Sequence, residues 1–515
     1  MKQLSIRIGS RKIFTVPLPK FLTIAMIGLA LATNAGAFSL LGPRTDWMDV
    51  EKGYDPTFDI GGPMNIGEGY RWNIPVITYG FDRSFLDYFG SNGIVAVEQA
   101  IDILNQVPPA SQIDLENYRM AVERVRQSAN ADSLIDLKTQ ALGLLLEQMG
   151  LADSTRFAFC IRDVFAPPES STYYFYIIER NFDPFTAQPS HEVNGTLLSY
   201  SIAQFGVVPS PTNVFCVAVP FAVYPSAEWA TAVTSLEELN VEGLFATGLT
   251  RDDVGGLKYL LSSSQVRTEN LLPDVFLVDT NSGPLVQMAD RPGIEKVTFL
   301  RHPVGTLNGD FRPFTNRWSD VYFDFDFPES QEVERVTAKP DILFSARDLP
   351  PREGWWRRTG TTNWVNNSAF NGNQGGAGPG VIQPPITISF NSAAPLYFNI
   401  SPANTNAFAD ETTAEPTLIW GTFDATTNSL IVYPAAQAPF ASTTVTLHLS
   451  LGGTSHDIEW PLVGHAYGRF LLQTAVYLTN WTTLTTLTNS GASFDYQFLA
   501  TTNETMRFFR TISLP

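Results

Sequence analysis

From about residue 271 to the C-terminus the chain carries almost no helical periodicity, and this constrains its fold more than any other feature. Runs rich in β-branched and aromatic residues fall at 297–300, 321–327, 333–337, 342–344, 386–390, 396–400, 418–423, 430–433, 443–451, 470–478 and 494–498. Within 386–515 turn signals recur roughly every 8–12 positions, the spacing of a β-sandwich. Only 16% of residues are charged, 12% are aromatic, and 37 Gly and 35 Pro supply turns. That composition suits short packed strands and not a disordered chain. A length of 515 residues exceeds what one core usually serves.

Helical signals concentrate in the first third. Ser91 is placed to cap a helix whose apolar positions Ile94, Val97, Ile101 and Leu104 share one face, and Pro108-Pro109 ends it. A second helix is predicted over 133–149, with Leu134, Leu137, Ala141, Leu144 and Leu145 inward and Gly150 closing its C-terminus. A weaker stripe predicts another over 111–128. Strands are predicted at 156–165, 172–182 and 214–219, and Asn194-Gly195 predicts a hairpin turn. Thr250 and Asp253 predict a capped helix from 250 to about 262. The fold class is therefore α+β for an N-terminal domain, followed by mostly-β domains and a C-terminal β-sandwich.

The predicted organisation is a signal peptide over 1–37, an extended arm over 38–73, an α+β domain over 74–265, a β-rich middle over 266–385 and the sandwich over 386–515. Lys2, Arg7, Arg11, Lys12 and Lys20 precede an apolar run at 21–32, and Ala35-Gly36-Ala37 is an A-x-A site predicting cleavage after Ala37. The run is shorter than the roughly 20 residues a membrane span needs. The formal net charge is −18, and losing the basic leader makes it more negative. This argues against nucleic acid, whose phosphates need a basic face. It favours solubility outside the cell, secreted, periplasmic or at the surface of a bacterium. Two cysteines, Cys160 and Cys216, sit in apolar strand-like runs and are placed to form a disulfide in an oxidising compartment.

Candidate chemistry is sparse. Asp324 and Asp326 alternate with Phe323, Phe325 and Phe327. On a strand both carboxylates share one face about 7 Å apart, a separation open to a calcium site or the acid pair of a polysaccharide hydrolase. The plainer reading is a solvated strand face with the phenylalanines packed inward. Trp355, Trp356 and Trp364 lie among Arg352, Arg357 and Arg358. Aromatic faces with guanidinium donors suit sugars or a protein interface, so Trp355, Trp356, Arg357, Arg358 and Trp364 form the candidate binding surface. The plainer reading is tryptophans covering a domain junction. A hairpin around Gly452-Gly453 sets His448 opposite Asp457. No nucleophile elbow, Walker loop or dinucleotide fingerprint occurs.

Two stretches carry a family resemblance. Ile74-Pro75-Val76-Ile77-Thr78-Tyr79 precedes the first helix, and Leu249-Thr250-Arg251-Asp252-Asp253-Val254-Gly255-Gly256-Leu257 opens the capped one. Together they resemble the matrixin branch of the metzincin metallopeptidases. The resemblance implies an α+β scaffold and a zinc motif, H-E-x-x-H-x-x-G-x-x-H, between the two stretches. His191-Glu192 begins like that motif. The family's second and third histidines then fall at Gly195 and Ser201, so no zinc or other cofactor is expected. The C-terminal stretch from Asn480-Trp481-Thr482 to Arg507-Phe508-Phe509-Arg510 resembles a β-module of secreted bacterial surface proteins. The expected function is an exported, non-catalytic binding or structural protein, extracellular or envelope-associated, with a polysaccharide or another envelope protein as partner and self-association open. The alternatives are a divergent zinc peptidase using His191 and Glu192, and a hydrolase using Asp324 and Asp326.

Overall fold

The computed structural model describes residues 36–54, 59–165, 173–205, 215–224, 231–236, 242–279, 283–305, 310–347, 349, 358–362, 379–392, 419–426, 430–434, 440–451, 454–465, 469–475, 482–488, 494–499 and 508–513. Its centre is a five-stranded sheet in the order Thr298–Arg301, Val76–Phe81, Ile342–Arg347, Ile386–Asn391, Thr359–Thr361. The first four strands run parallel and the last is antiparallel. Parallel strands buried on both faces read as continuous apolar runs, which is how Val76–Phe81 and Ile386–Asn391 read.

Four α-helices occur among the described residues: α1 (Arg83–Asn105), α2 (Gln127–Ala131), α3 (Leu137–Gln148) and α4 (Arg251–Leu261). The first begins earlier than the apolar stripe predicts, because Asp82 caps it through the N–H of Phe85. It breaks at Gly90, whose backbone is non-helical (φ 61°), and Ser91 follows that break. Its buried face, Phe85, Phe89, Val97, Ile101 and Leu104, meets the aromatic layer of Phe81, Phe344 and Phe390.

The predicted helix at 133–149 divides. Leu134–Asp136 is a strand, parallel to Ile419–Thr422, and α3 starts only after Asp136, which accepts from the N–H of Thr139. The predicted helix over 111–128 does not form. Short 3-10 turns at Ala110–Gln112 and Leu115–Asn117, a strand at Glu123–Val125 and the short α2 replace it, since its apolar spacing is too irregular for one buried face. The capping box at α4 is present: Thr250 accepts from the N–H of Asp253, and the Asp253 carboxylate accepts from the N–H of Thr250.

The predicted domain boundaries are corrected. The strands Val76–Phe81, Ile342–Arg347 and Ile386–Asn391 lie side by side, so boundaries at 265 and 385 would cut one sheet. Gly36–Pro515 forms a single compact unit. The predicted arm is core as well. Its strand Phe38–Gly42 is buried throughout and pairs with Gly62–Met64, Asn181–Phe182 and Leu151–Ala152.

A second five-stranded sheet holds Arg267–Asn270, Met288–Arg291, Phe314–Asp324, Phe327–Thr337 and Val275–Leu277. A buried ionic layer joins it to the rest. Arg71 bonds Glu269 at 2.7 Å and Arg335 bonds Asp341 at 2.7 Å, while Arg291 bonds Asp320 at 2.9 Å within the sheet itself. Asp341 also accepts from the N–H and hydroxyl of Thr78 on the central sheet, so one carboxylate ties the two sheets. Beyond residue 439 the described residues form two three-stranded sheets. In the first, His448 lies opposite Asp457, the register the glycine turn predicts. The protein is thus α/β in content and mostly β, and among the described residues no helix is long and apolar enough to cross a membrane.

Candidate functional site

Asn194 and Gly195 both adopt positive φ (44° and 78°), the backbone of a two-residue hairpin turn. Glu192 pairs with Leu197 and Val193 with Thr196. The segment is therefore strand, and a strand does not bring side chains three or four residues apart onto one face as a helix does. His191 is half-exposed beside Phe159, with Nδ1 3.8 Å from Glu179. Among the described residues no cluster of three or more His, Cys, Asp or Glu is arranged to hold a metal.

The helix of this region lies elsewhere. α3 is buried on nearly every face and packs against α1. It is followed by Gly150 at φ 96°, where an added Cβ would stand 2.1 Å from the carbonyl oxygen of Tyr70. Only glycine meets both demands. Beyond the turn, Asp153 Oδ1 accepts from the backbone N–H groups of Thr155 and Arg156 and from the hydroxyl of Ser235.

Asp324 and Asp326 do not share a strand face. Phe314–Asp324 and Phe327–Thr337 are the arms of a hairpin, and Phe325 and Asp326 are its turn, at φ 45° and 70°. The chain reverses where alternation predicts a continuous strand. The phenylalanines are not packed inward either: Phe325 is 91% and Phe327 71% exposed. Alternation records which side chains share a face of a strand; it is blind to a turn inserted between them.

Of the predicted binding surface, Trp355, Trp356, Arg357 and Trp364 lie outside the described residues. Arg358 is buried, because it leads into the strand Thr359–Thr361 and its carbonyl accepts from the N–H of Asn391. The predicted disulfide is not formed. Cys160 and Cys216 are both buried thiols in separate apolar clusters, Cys160 in the main core and Cys216 in a smaller one with Phe159, Leu198 and Ala218.

A surface that the sequence did not single out is the two-stranded ribbon of Cys160–Phe165 and Tyr174–Ile178. Phe165 pairs with Tyr174 and Asp163 with Tyr176. Their neighbours Val164, Phe175 and Ile177 pack inward, which turns Phe165, Tyr174 and Tyr176 outward at 61%, 59% and 62% exposure. Three aromatic rings on one open face offer large flat contact area at low entropic cost, the usual equipment of recognition surfaces. The run Tyr173-Tyr174-Phe175-Tyr176 is aromatic on both faces, so sequence alternation did not show which rings are outward.

No protein family, curated protein or solved structure matches the chain.

Proposed function

We propose that the chain is an exported binding or structural protein, extracellular or envelope-associated, built on a matrixin-like scaffold without its zinc site and working by recognition. The strand Val76–Phe81 running into α1 supports this, as does the capping box at Thr250 and Asp253 of α4. The two C-terminal three-stranded sheets read as the layers of a β-sandwich used for display.

The observation that carries the reading is α3 followed by Gly150. In H-E-x-x-H-x-x-G-x-x-H a helix presents two histidines one turn apart, and the glycine turns the chain to bring up the third. With the motif's glycine set on Gly150, the three ligand positions fall on Gly143, Glu147 and Asp153, and the general base falls on Leu144. This register replaces the one that begins at His191. Gly143 has no side chain to offer, and Asp153 is committed to three local donors.

A second observation favours recognition. Phe325 holds a left-handed backbone with its ring in water. Such a conformation costs of order 1–3 kcal/mol for a non-glycine residue, and an exposed ring returns nothing to folding. The hairpin tip and the Phe165, Tyr174, Tyr176 ribbon are therefore the surfaces assigned to a partner, an envelope polysaccharide or envelope protein. The test is binding of the purified protein to isolated envelope polysaccharide and to envelope proteins. Tyr174→Ser with Tyr176→Ser, or Phe325→Ser with Phe327→Ser, is expected to lose binding at unchanged Tm. Unchanged binding in both variants would remove these surfaces. Chelator-sensitive peptide hydrolysis lost in Glu192→Gln would overturn the non-catalytic reading.

A further inference from the structure

Asp252 is a fully buried carboxylate with no ion-pair partner among the described residues. Its Oδ2 accepts from the backbone N–H of Ala37 at 2.7 Å and of Asn194 at 2.6 Å. Its Oδ1 has no hydrogen-bond partner and no contact with water. The neighbouring Asp253 is buried too, and spends its oxygens on Thr250, Val233 and Thr234. Among the described residues no ion pair reaches Asp252. A buried carboxylate oxygen left unmatched destabilises the fold, and a charged donor placed against it offsets that cost.

Gly36 lies beside that oxygen. A Cβ built on Gly36 would lie 2.1 Å from Asp252 Oδ1, which sets the Gly36 Cα against the oxygen and leaves no room for a larger residue. The nitrogen of Gly36 is one bond further, and rotation about its Cα–C bond swings it toward Oδ1. The residues one and three positions before the Ala35–Gly36 bond, Ala35 and Thr33, are both small, as a leader-cleavage site requires.

The geometry points to processing at the Ala35–Gly36 bond, which makes Gly36 the first residue of the mature chain and seats its α-ammonium against Oδ1 of Asp252 as a buried ion pair. In this step water, delivered by a leader peptidase, breaks the amide. Its hydroxyl goes to the carbonyl carbon of Ala35 and its proton to the nitrogen of Gly36, which takes a second proton from solvent to become the ammonium. Cleavage after Ala37, the site the A-x-A pattern predicts, fits the structure less well. It would remove a fully buried methyl and one of the two N–H donors that Asp252 has. Cleavage at Gly36 keeps both donors and adds a cation. This inference rests on the export part of the proposed function and is independent of its binding role; an uncut chain would count against export, a start at Phe38 against the Gly36 site alone.

The test has two arms. The full-length precursor is expressed with its leader in an exporting bacterial host, and the N-terminus of the purified product is sequenced. The expected start is Gly36-Ala37-Phe38; a start at Phe38, or an uncut chain, overturns the proposal. In the second arm a chain beginning at Gly36 is released from a cleavable fusion, and its Tm is compared with the amine free and acetylated. Acetylation is expected to lower the Tm of the wild-type sequence clearly and that of Asp252→Asn hardly at all. An equal effect in both, or none in the wild type, overturns the ion pair. The wild-type comparison needs no substitution and decides the matter even where Asp252→Asn folds poorly.

Discussion

The backbone N–H of Ala37 is bonded to the carboxylate of Asp252, 215 positions later in the sequence, at 2.7 Å. The bond fastens the first described strand to the start of α4. Burial holds the Asp252 carboxyl well above the ordinary carboxylate range, against the pull of the Ala37 and Asn194 donors. A raised folded value means that folding favours the protonated form. Without an ammonium, that contribution is fully present below about pH 4 and is lost as pH rises through the folded value. A chain acetylated at Gly36 is therefore expected to lose stability as pH climbs from about 4 toward neutrality. The chain with a free amine is expected to hold its stability through neutrality and to lose it only as pH rises above about 8, the ordinary α-amine value, toward the higher value the ion pair gives the folded chain. Urea unfolding of both chains across this range checks the point; superimposable profiles would contradict it.

Gly150→Ala is expected to destabilise the protein by more than about 2 kcal/mol, because the new methyl meets both a left-handed backbone and the Tyr70 carbonyl. Gly67 is also left-handed but has nothing near a built Cβ, so Gly67→Ala is expected to cost less, about 1 kcal/mol. Equal midpoints for the two variants in denaturant would show that the crowding at Gly150 is relieved.

Asp326→Gly is expected to stabilise the hairpin by roughly 0.5 kcal/mol, since glycine carries no penalty at φ 70° in a turn of this kind. Loss of stability would mean that the turn is held by contacts of the Asp326 side chain.

The two thiols are expected to be silent toward a thiol reagent in the native protein and both to react after unfolding without reductant. Burial pushes the Cys160 thiol up to about 11, which removes the reactive thiolate as well as access. A protein that shows no thiol even when unfolded would carry the disulfide after all.

Sequence reading recovered what local chemistry dictates. Asn194-Gly195 specified its hairpin, Thr250 and Asp253 their capping box, and Gly150 the end of α3, because each needs only a few neighbouring residues. The glycine turn between His448 and Asp457 fixed that register in the same way. What depends on distant partners was not legible. The parallel pairing of Ile342–Arg347 with Val76–Phe81 joins segments over 250 positions apart, as the Asp341 to Thr78 bond shows, and so the domain boundaries were misplaced. Arg71, Arg267, Arg291 and Arg335 are all buried, which no local pattern shows, because their carboxylate and carbonyl partners come from other elements. The phenylalanines at 323–327 misled for a related reason: alternation does not reveal a turn whose residues are Phe and Asp instead of Asn and Gly.

The most direct test of the zinc-less reading is elemental mass spectrometry on the purified, processed protein after equilibration with zinc and removal of unbound metal. With Gly143, Glu147 and Asp153 at the ligand positions, no stoichiometric zinc is expected. A stoichiometric zinc that is lost in His191→Ala would contradict the account and restore the peptidase.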